Sequence, residues 1–277
     1  MQPFTEDASM ANIKLIACDM DKTLLADDGT QPENMVELVE RMTQAGIVFC
    51  PASGRPAPKL MEMFADHANA LAFCPDNGGS IIYRGKRIYE SVLDRDLCRK
   101  TLSELASIEG VVPILGAFDK TYLLKRDRPH ESTVSYFYGP INFVDDICTL
   151  DVDSNKIALY LPGGSSKKFF DEVVEPRYGK QFYAASTNDQ WIDMMNLGVD
   201  KGRGVLHLCE KLGIDPADAA AFGDTYNDAP MLEAVGHSYL VANAGEHMRT
   251  HARFCAPSNN DRGVATVIEA ILAAHGA

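Results

Sequence analysis

Ile13-Lys14-Leu15-Ile16-Ala17-Cys18-Asp19-Met20-Asp21-Lys22-Thr23 is the stretch on which the fold turns. Its apolar run, residues 13–18, breaks off at Asp19. A short run without polar alternation fits a strand covered on both faces, as in a parallel sheet between two helical layers. The carboxylates of Asp19 and Asp21 then emerge where such a strand ends. Downstream, Pro32-Glu33 opens a helix whose Met35, Leu38, Val39 and Met42 fall at helical spacing, and Gly46 closes it. The next apolar run, residues 47–52 (IVFCPA), leads into Ser53-Gly54-Arg55. Strand, helix and strand in that order make a parallel crossover unit.

Outward from there, the pattern predicts a helix through 61–64, a strand at 70–73 and a hairpin turned at Arg84-Gly85-Lys86 within IIYRGKRIYE. From 91 to 188 the pattern changes. One amphipathic segment, 96–108, is followed by strand-like pieces such as TYLLKR and KIALYL, separated by polar loops, which suits an α+β insertion. Beyond Trp191 the alternation returns, with helices at 201–212, 229–235 and 265–274 and strands at 219–222 and 239–242. The fold predicted is a doubly wound α/β core with a mostly parallel sheet, built from 12–90 and 189–277. An α+β domain is inserted at 91–188, after a loose tail at 1–11.

Composition narrows the function. The 277 residues carry 39 Asp and Glu against 26 Lys and Arg, a net charge of −13, without a basic run, so nucleic acid is not expected as a partner. The apolar runs are too short to span a bilayer, for which roughly 20 residues are needed. The first eleven residues carry Glu6 and Asp7 and have no apolar stretch, unlike a secretory signal. Seven cysteines, an odd number with no CxxC pair, suit a reducing compartment. A cytoplasmic protein without membrane or protein partner is the expectation. An anionic substrate would need a cation or positioned donors.

Four groups of residues can carry chemistry. Asp19 and Asp21, one residue apart at a strand's carboxyl end, lie where open α/β sheets bind ligands. Two carboxylates so close suit a shared proton or a divalent metal; a solvated turn with a helix cap is the plainer alternative. Gly223-Asp224-Thr225-Tyr226-Asn227-Asp228 follows another apolar strand and offers oxygen ligands for a hard cation, although Asp228 could equally cap the next helix. Ser53-Gly54-Arg55 and Lys201 supply the donors that a phosphate oxyanion needs.

In this order the four groups resemble the signature motifs of the haloacid dehalogenase superfamily of phosphohydrolases: DxDxT, a serine or threonine, a lysine, and GDxxND. The insertion resembles the type-II cap of its Cof-type members, and the core is then Rossmann-like. The resemblance implies Asp19 as the nucleophile, forming an aspartyl-phosphate, and Asp21 as general acid and then base. It implies Mg²⁺ held by Asp19, the backbone carbonyl of Asp21, Asp224 and Asp228. Ser53, Gly54, Lys201 and Asn227 would bind the phosphoryl group. The activity implied is Mg²⁺-dependent hydrolysis of a small phosphorylated metabolite, a sugar phosphate or a phosphorylated cofactor. The rivals are a phosphomutase of the same superfamily and a non-catalytic phosphometabolite sensor.

Lys22 departs from the pattern, which usually has glycine there; the added charge and the lost left-handed option would alter the loop geometry or bring the side chain to the substrate. Arg55 either reaches the loop or substrate or forms a structural ion pair. His247 and His251 have the i, i+4 spacing of metal ligands but lack the glutamate of a metalloprotease motif, so a solvated face is expected. Asn243 reads as structural, Tyr136-Phe137-Tyr138 as core, and the basic run 125–130 as an exposed turn.

Overall fold

Side chains of the Leu15–Asp19 strand leave alternately on the two faces of its sheet. Ile16 and Cys18 enter one hydrophobic cluster, and Leu15 and Ala17 enter another. Strands Val48–Ala52 and Ala219–Gly223 divide likewise: Phe49 and Phe222 pack on the first side, Cys50 and Ala221 on the second. This double burial is why these runs read as continuously apolar.

The computed structural model describes residues 2–4 and 8–277. Its central sheet has six strands in the order Gln2–Pro3, Phe254–Ala256, His237–Val241, Ala219–Gly223, Leu15–Asp19, Val48–Ala52, and every pairing is parallel. Helices Met35–Gln44 and Gly263–Ala274 cover one face, and Lys201–Leu212 and Ala229–Ala234 cover the other. The doubly wound core expected from the sequence is therefore present.

A second six-stranded sheet runs Phe182–Asn188, Trp191–Asn196, Lys156–Tyr160, Val112–Ala117, Lys120–Leu124, Ile141–Val144. It is antiparallel except between its last two strands. Helix Arg95–Ala106 packs on one side, and Glu131–Tyr138 packs on the other through Val134 and Tyr138. A three-stranded sheet, Ala72–Phe73, Ser80–Tyr83 and Lys86–Glu90, turns at Arg84 and Gly85, both at positive φ as a tight hairpin requires.

Three expectations need correction. The start of the chain is tied down where it is described: Gln2 and Pro3 pair with Phe254 and Cys255, and Met10 is buried in the core. Residues 1 and 5–7 of the expected tail lie outside the described residues. The division expected at 188/189 falls inside a hairpin, because Trp191–Asn196 pairs with both Phe182–Asn188 and Lys156–Tyr160. One partner, Lys156–Tyr160, is distant in sequence, while the other is its own hairpin neighbour. The helix expected through 61–64 is Ala57–Glu62, started by Pro56.

Candidate active site

Three neighbouring strands, Ala219–Gly223, Leu15–Asp19 and Val48–Ala52, run parallel and end together. Asp224 and Asp228 follow the first, Asp19 ends the second and Asp21 lies just past it, and Ser53 to Arg55 follow the third. Residues far apart in sequence converge because parallel strands present all their carboxyl ends on one edge.

Lys201 arrives from the side, as the first residue of helix Lys201–Leu212. Its side chain is fully buried, and its ammonium donates to Asp19 Oδ1 at 2.5 Å and Asp228 Oδ1 at 2.7 Å. Two glycines let the helix approach this closely. A Cβ on Gly202 would lie 2.3 Å from Pro230 O, and one on Gly204 would lie 2.5 Å from Cys74 Sγ.

Asp228 is buried and has two tasks. Oδ1 takes the lysine, while Oδ2 accepts from the backbone amides of Asp224 at 3.0 Å and Thr225 at 3.1 Å, which fixes the loop that carries Asp224. Thr23, also buried, donates to Asp224 Oδ1 at 3.2 Å. Carboxylate oxygens of Asp19, Asp224 and Asp228 all lie within 4.8 Å of one another.

The electrostatics follow from that crowding. Burial first, then the adjacent Asp228, push the Asp19 carboxyl well above its ordinary range, against the pull of Lys201. Burial and Asp228 likewise push Asp224 up to about 7, opposed by Lys201 and Thr23. Burial opposes the charge on Lys201, yet Asp19 and Asp228 outweigh it and hold the ammonium protonated. Three carboxylates against one ammonium leave an excess of buried negative charge, and the buried Asn227 Oδ1 meets no donor. An all-oxygen donor set with this charge fits a hard divalent cation. The carboxylate of Asp21 is not in that cluster.

Asp21 is instead gripped by Arg55, with Nε to Oδ2 at 3.0 Å and Nη2 to Oδ1 at 2.7 Å. Arg55 is 7% exposed and its partner's side chain 49%, so a buried guanidinium aims a carboxylate into open space. That space is a cavity of about 620 Å³ lined by Asp19, Asp21, Ser53, Gly54, Asp224 and Asn227 on the core side. Tyr136, Trp191, Asp189 and Asp193 line its other side, from the second sheet and its helix. The bidentate pair needs a planar fork, which lysine does not provide.

Lys22 also lines this cavity, and it keeps the left-handed backbone, φ 63°, that replacing glycine was expected to forgo. Asn243 Nδ2 donates to the Lys22 carbonyl at 2.8 Å, and Asn243 Oδ1 accepts from the Asn259 amide at 3.0 Å, a structural bridge as expected. His247 stacks on Tyr226 with ring centroids 4.3 Å apart, while His251 meets Glu233 at 2.5 Å. Among the described residues neither histidine joins a group able to hold a metal. Within the aromatic run, Tyr138 is buried against Trp191, whereas Tyr136 is 59% exposed and faces the cavity. Reading that run as core is right for Tyr138 and wrong for Tyr136. Residues 125–130 form an exposed 3-10 turn.

Comparison with known proteins agrees with this geometry. A family model described as haloacid dehalogenase-like hydrolase matches residues 16–268. The chain is 31% identical over 266 residues to the 5-amino-6-(5-phospho-D-ribitylamino)uracil phosphatase YbjI of Escherichia coli, covering 94% of this chain and 97% of that one. It is 24% identical over 285 residues to YwtE of Bacillus subtilis, named for the same activity, covering 94% and 98%. The crystal structure of SMU.1108c from Streptococcus mutans superposes with a TM-score of 0.86 at 26% identity, covering 94% of this chain and 99% of that one. The chain belongs to the haloacid dehalogenase-like hydrolase family, and it is a phosphatase.

Proposed function

We propose that the chain hydrolyses small phosphomonoesters by way of a phosphoryl group carried on Asp19. One observation carries this reading: Asp19 and Asp21 line a single cavity, Asp21 gripped by Arg55 and Asp19 backed by the buried ammonium of Lys201. A carboxylate oxygen of Asp19 attacks phosphorus and forms an acyl-phosphate bond as the ester P–O bond breaks. Asp21 in its acid form gives its proton to the departing alkoxide, and the Arg55 pair stabilises the carboxylate left behind. It then takes a proton from the water that attacks phosphorus and frees Asp19. Lys201 neutralises the carboxylate that must approach an anionic phosphoryl group, and its charge also suits the equatorial oxygens. Ser53, the Gly54 amide and the free hydrogen of the Asn227 amide are the remaining donors for those oxygens.

Asp19, Asp224 and Asp228, with the backbone carbonyl of Asp21, are the proposed holders of Mg²⁺, which when bound supplies positive charge that offsets the carboxylates and the phosphoryl group. Removing magnesium with a chelator should stop turnover, and adding it back should restore turnover.

The cavity also bears on the leaving group. Tyr136 and Trp191 offer aromatic surface, while Asp27, Asp28 and Asp189 offer acceptors and repel a second anion. An uncharged leaving group with hydroxyls and a planar ring suits these walls, and a ribitylaminouracil phosphate, after which the two relatives are named, has both parts. The test is phosphate release from a panel containing that compound, hexose phosphates and sugar bisphosphates, with Mg²⁺. Release fastest from the ring-bearing polyol phosphate supports the reading. An isomerised ester without free phosphate would instead indicate a mutase, and tight binding without turnover a sensor.

A further inference from the structure

Lys156 opens the strand Lys156–Tyr160 of the second sheet, yet its fully buried ammonium reaches the core. It donates to Gly54 O at 2.6 Å and lies 3.1 Å from Asp76 Oδ1 and 3.6 Å from Asp193 Oδ2. The Tyr138 ring centroid lies 4.7 Å from it. Burial opposes its charge, but Asp193 and Asp76 outweigh this and keep it protonated. A charge this deep is retained at a desolvation cost that hydrophobic packing would avoid.

The chain of contacts continues to the other phosphate-binding loop. Asp193 Oδ2 accepts from Asn77 Nδ2 at 2.9 Å, its Oδ1 accepts from the Tyr138 hydroxyl at 3.3 Å, and Asn77 Oδ1 accepts from Asn227 Nδ2 at 3.0 Å. Asn155 Nδ2 donates to Asp76 Oδ2 at 2.7 Å. Asp76 and Asn77 both sit at positive φ, 51° and 52°, a strained backbone that turns both side chains into this network. A Cβ on Gly54 would come within 3.2 Å of Asn77 Nδ2 and Asp193 Oδ2, so the loop is seated tightly against these groups.

We infer that Lys156 and Asp193 are positioning residues for the phosphoryl cup, holding Gly54 directly and Asn227 through Asn77, so that the second sheet sets the geometry of donors on the core. The inference rests on the proposed phosphatase site. Its consequence is that affinity for the phosphoryl group itself, not only for the leaving group, depends on residues of the second sheet.

The test is binding of inorganic phosphate to the Mg²⁺-loaded protein by calorimetry, with kcat and KM on p-nitrophenyl phosphate alongside. Lys156→Met and Asp193→Ala should each weaken phosphate binding by about 10- to 100-fold, the usual range for loss of a supporting shell, and lower kcat as well. Folded variants that bind phosphate as the wild type does, with only a lower Tm, would reduce the network to a structural clamp and overturn the inference. Should Lys156→Met fail to fold, Asp193→Ala decides alone, since Lys156 keeps Asp76 as its counter-ion there. A wild type that binds no phosphate would instead defeat the functional reading.

Discussion

Replacing Lys201 with methionine keeps the length of the side chain and removes its charge. The ammonium is fully buried and lies 2.5 Å from Asp19 and 2.7 Å from Asp228. Without it, those carboxylates and Asp224 share a space 4.8 Å across, with only Lys22 near Asp224 to offset them. Breaking a buried pair by removing one partner costs about 3–5 kcal/mol, because the other charge stays desolvated. For a chain of this size that corresponds to a fall in Tm of roughly 10 °C. Magnesium should recover part of the loss, since a ligand at 100 times its Kd adds about 2.7 kcal/mol. Calorimetric melts of both proteins near pH 7.5, with chelator and with Mg²⁺, measure all four values. Phosphate release should fall by about 100-fold or more, as for loss of a donor to developing charge. A variant that melts within about 1 °C of the wild type without metal would refute the electrostatic reasoning.

Other consequences can be checked on the same protein. In the metal-free fold Asp224 titrates at about 7 against an ordinary 3.8, so between those values the native state holds a proton that the unfolded chain has lost. Stability should therefore fall as pH rises from about 4 to about 7, and added Mg²⁺ should raise Tm far more at pH 7.5 than at pH 5; a metal-free Tm that climbs over this range contradicts it. Lys22→Gly relieves the left-handed backbone at φ 63° and should stabilise by up to about 1 kcal/mol in urea unfolding, while an equal loss would mean that the conformation is not strained. Gly202→Ala forces a methyl to 2.3 Å from Pro230 O, and should cost about 1–3 kcal/mol and lower kcat by shifting Lys201; unchanged melting and kcat would show that the helix has room.

Much of the core was legible because its strands are buried on both faces and its helices on one, so periodicity separates them. The metal-type cluster was legible for a related reason: Asp19 ends such a strand and Asp224 directly follows another. The grip of Arg55 on Asp21 was open in the sequence, because the partners come from adjacent strand ends and only the sheet order brings them together. Lys156 reads as the polar start of a strand, and its tie to Gly54 spans 102 positions. Asp193 interrupts WIDMMN, and its buried carboxylate makes sense only with Asn77 and Tyr138 beside it. A charged residue inside an otherwise buried strand was the signal available; its partner had no local trace. The short strand Gln2–Pro3 is likewise made by its neighbour Phe254–Ala256 rather than by its own pattern.

The central claim is that Asp19 carries the phosphoryl group. The measurement that meets it most directly is rapid acid quench of wild type and Asp19→Asn during turnover with Mg²⁺, followed by peptide mass spectrometry. The account predicts one added phosphoryl group on the peptide holding Asp19 in the wild type, absent in the variant, which should stay folded and inactive. A phosphoryl group on another residue, or an Asp19→Asn protein that turns over near the wild-type rate, would contradict it.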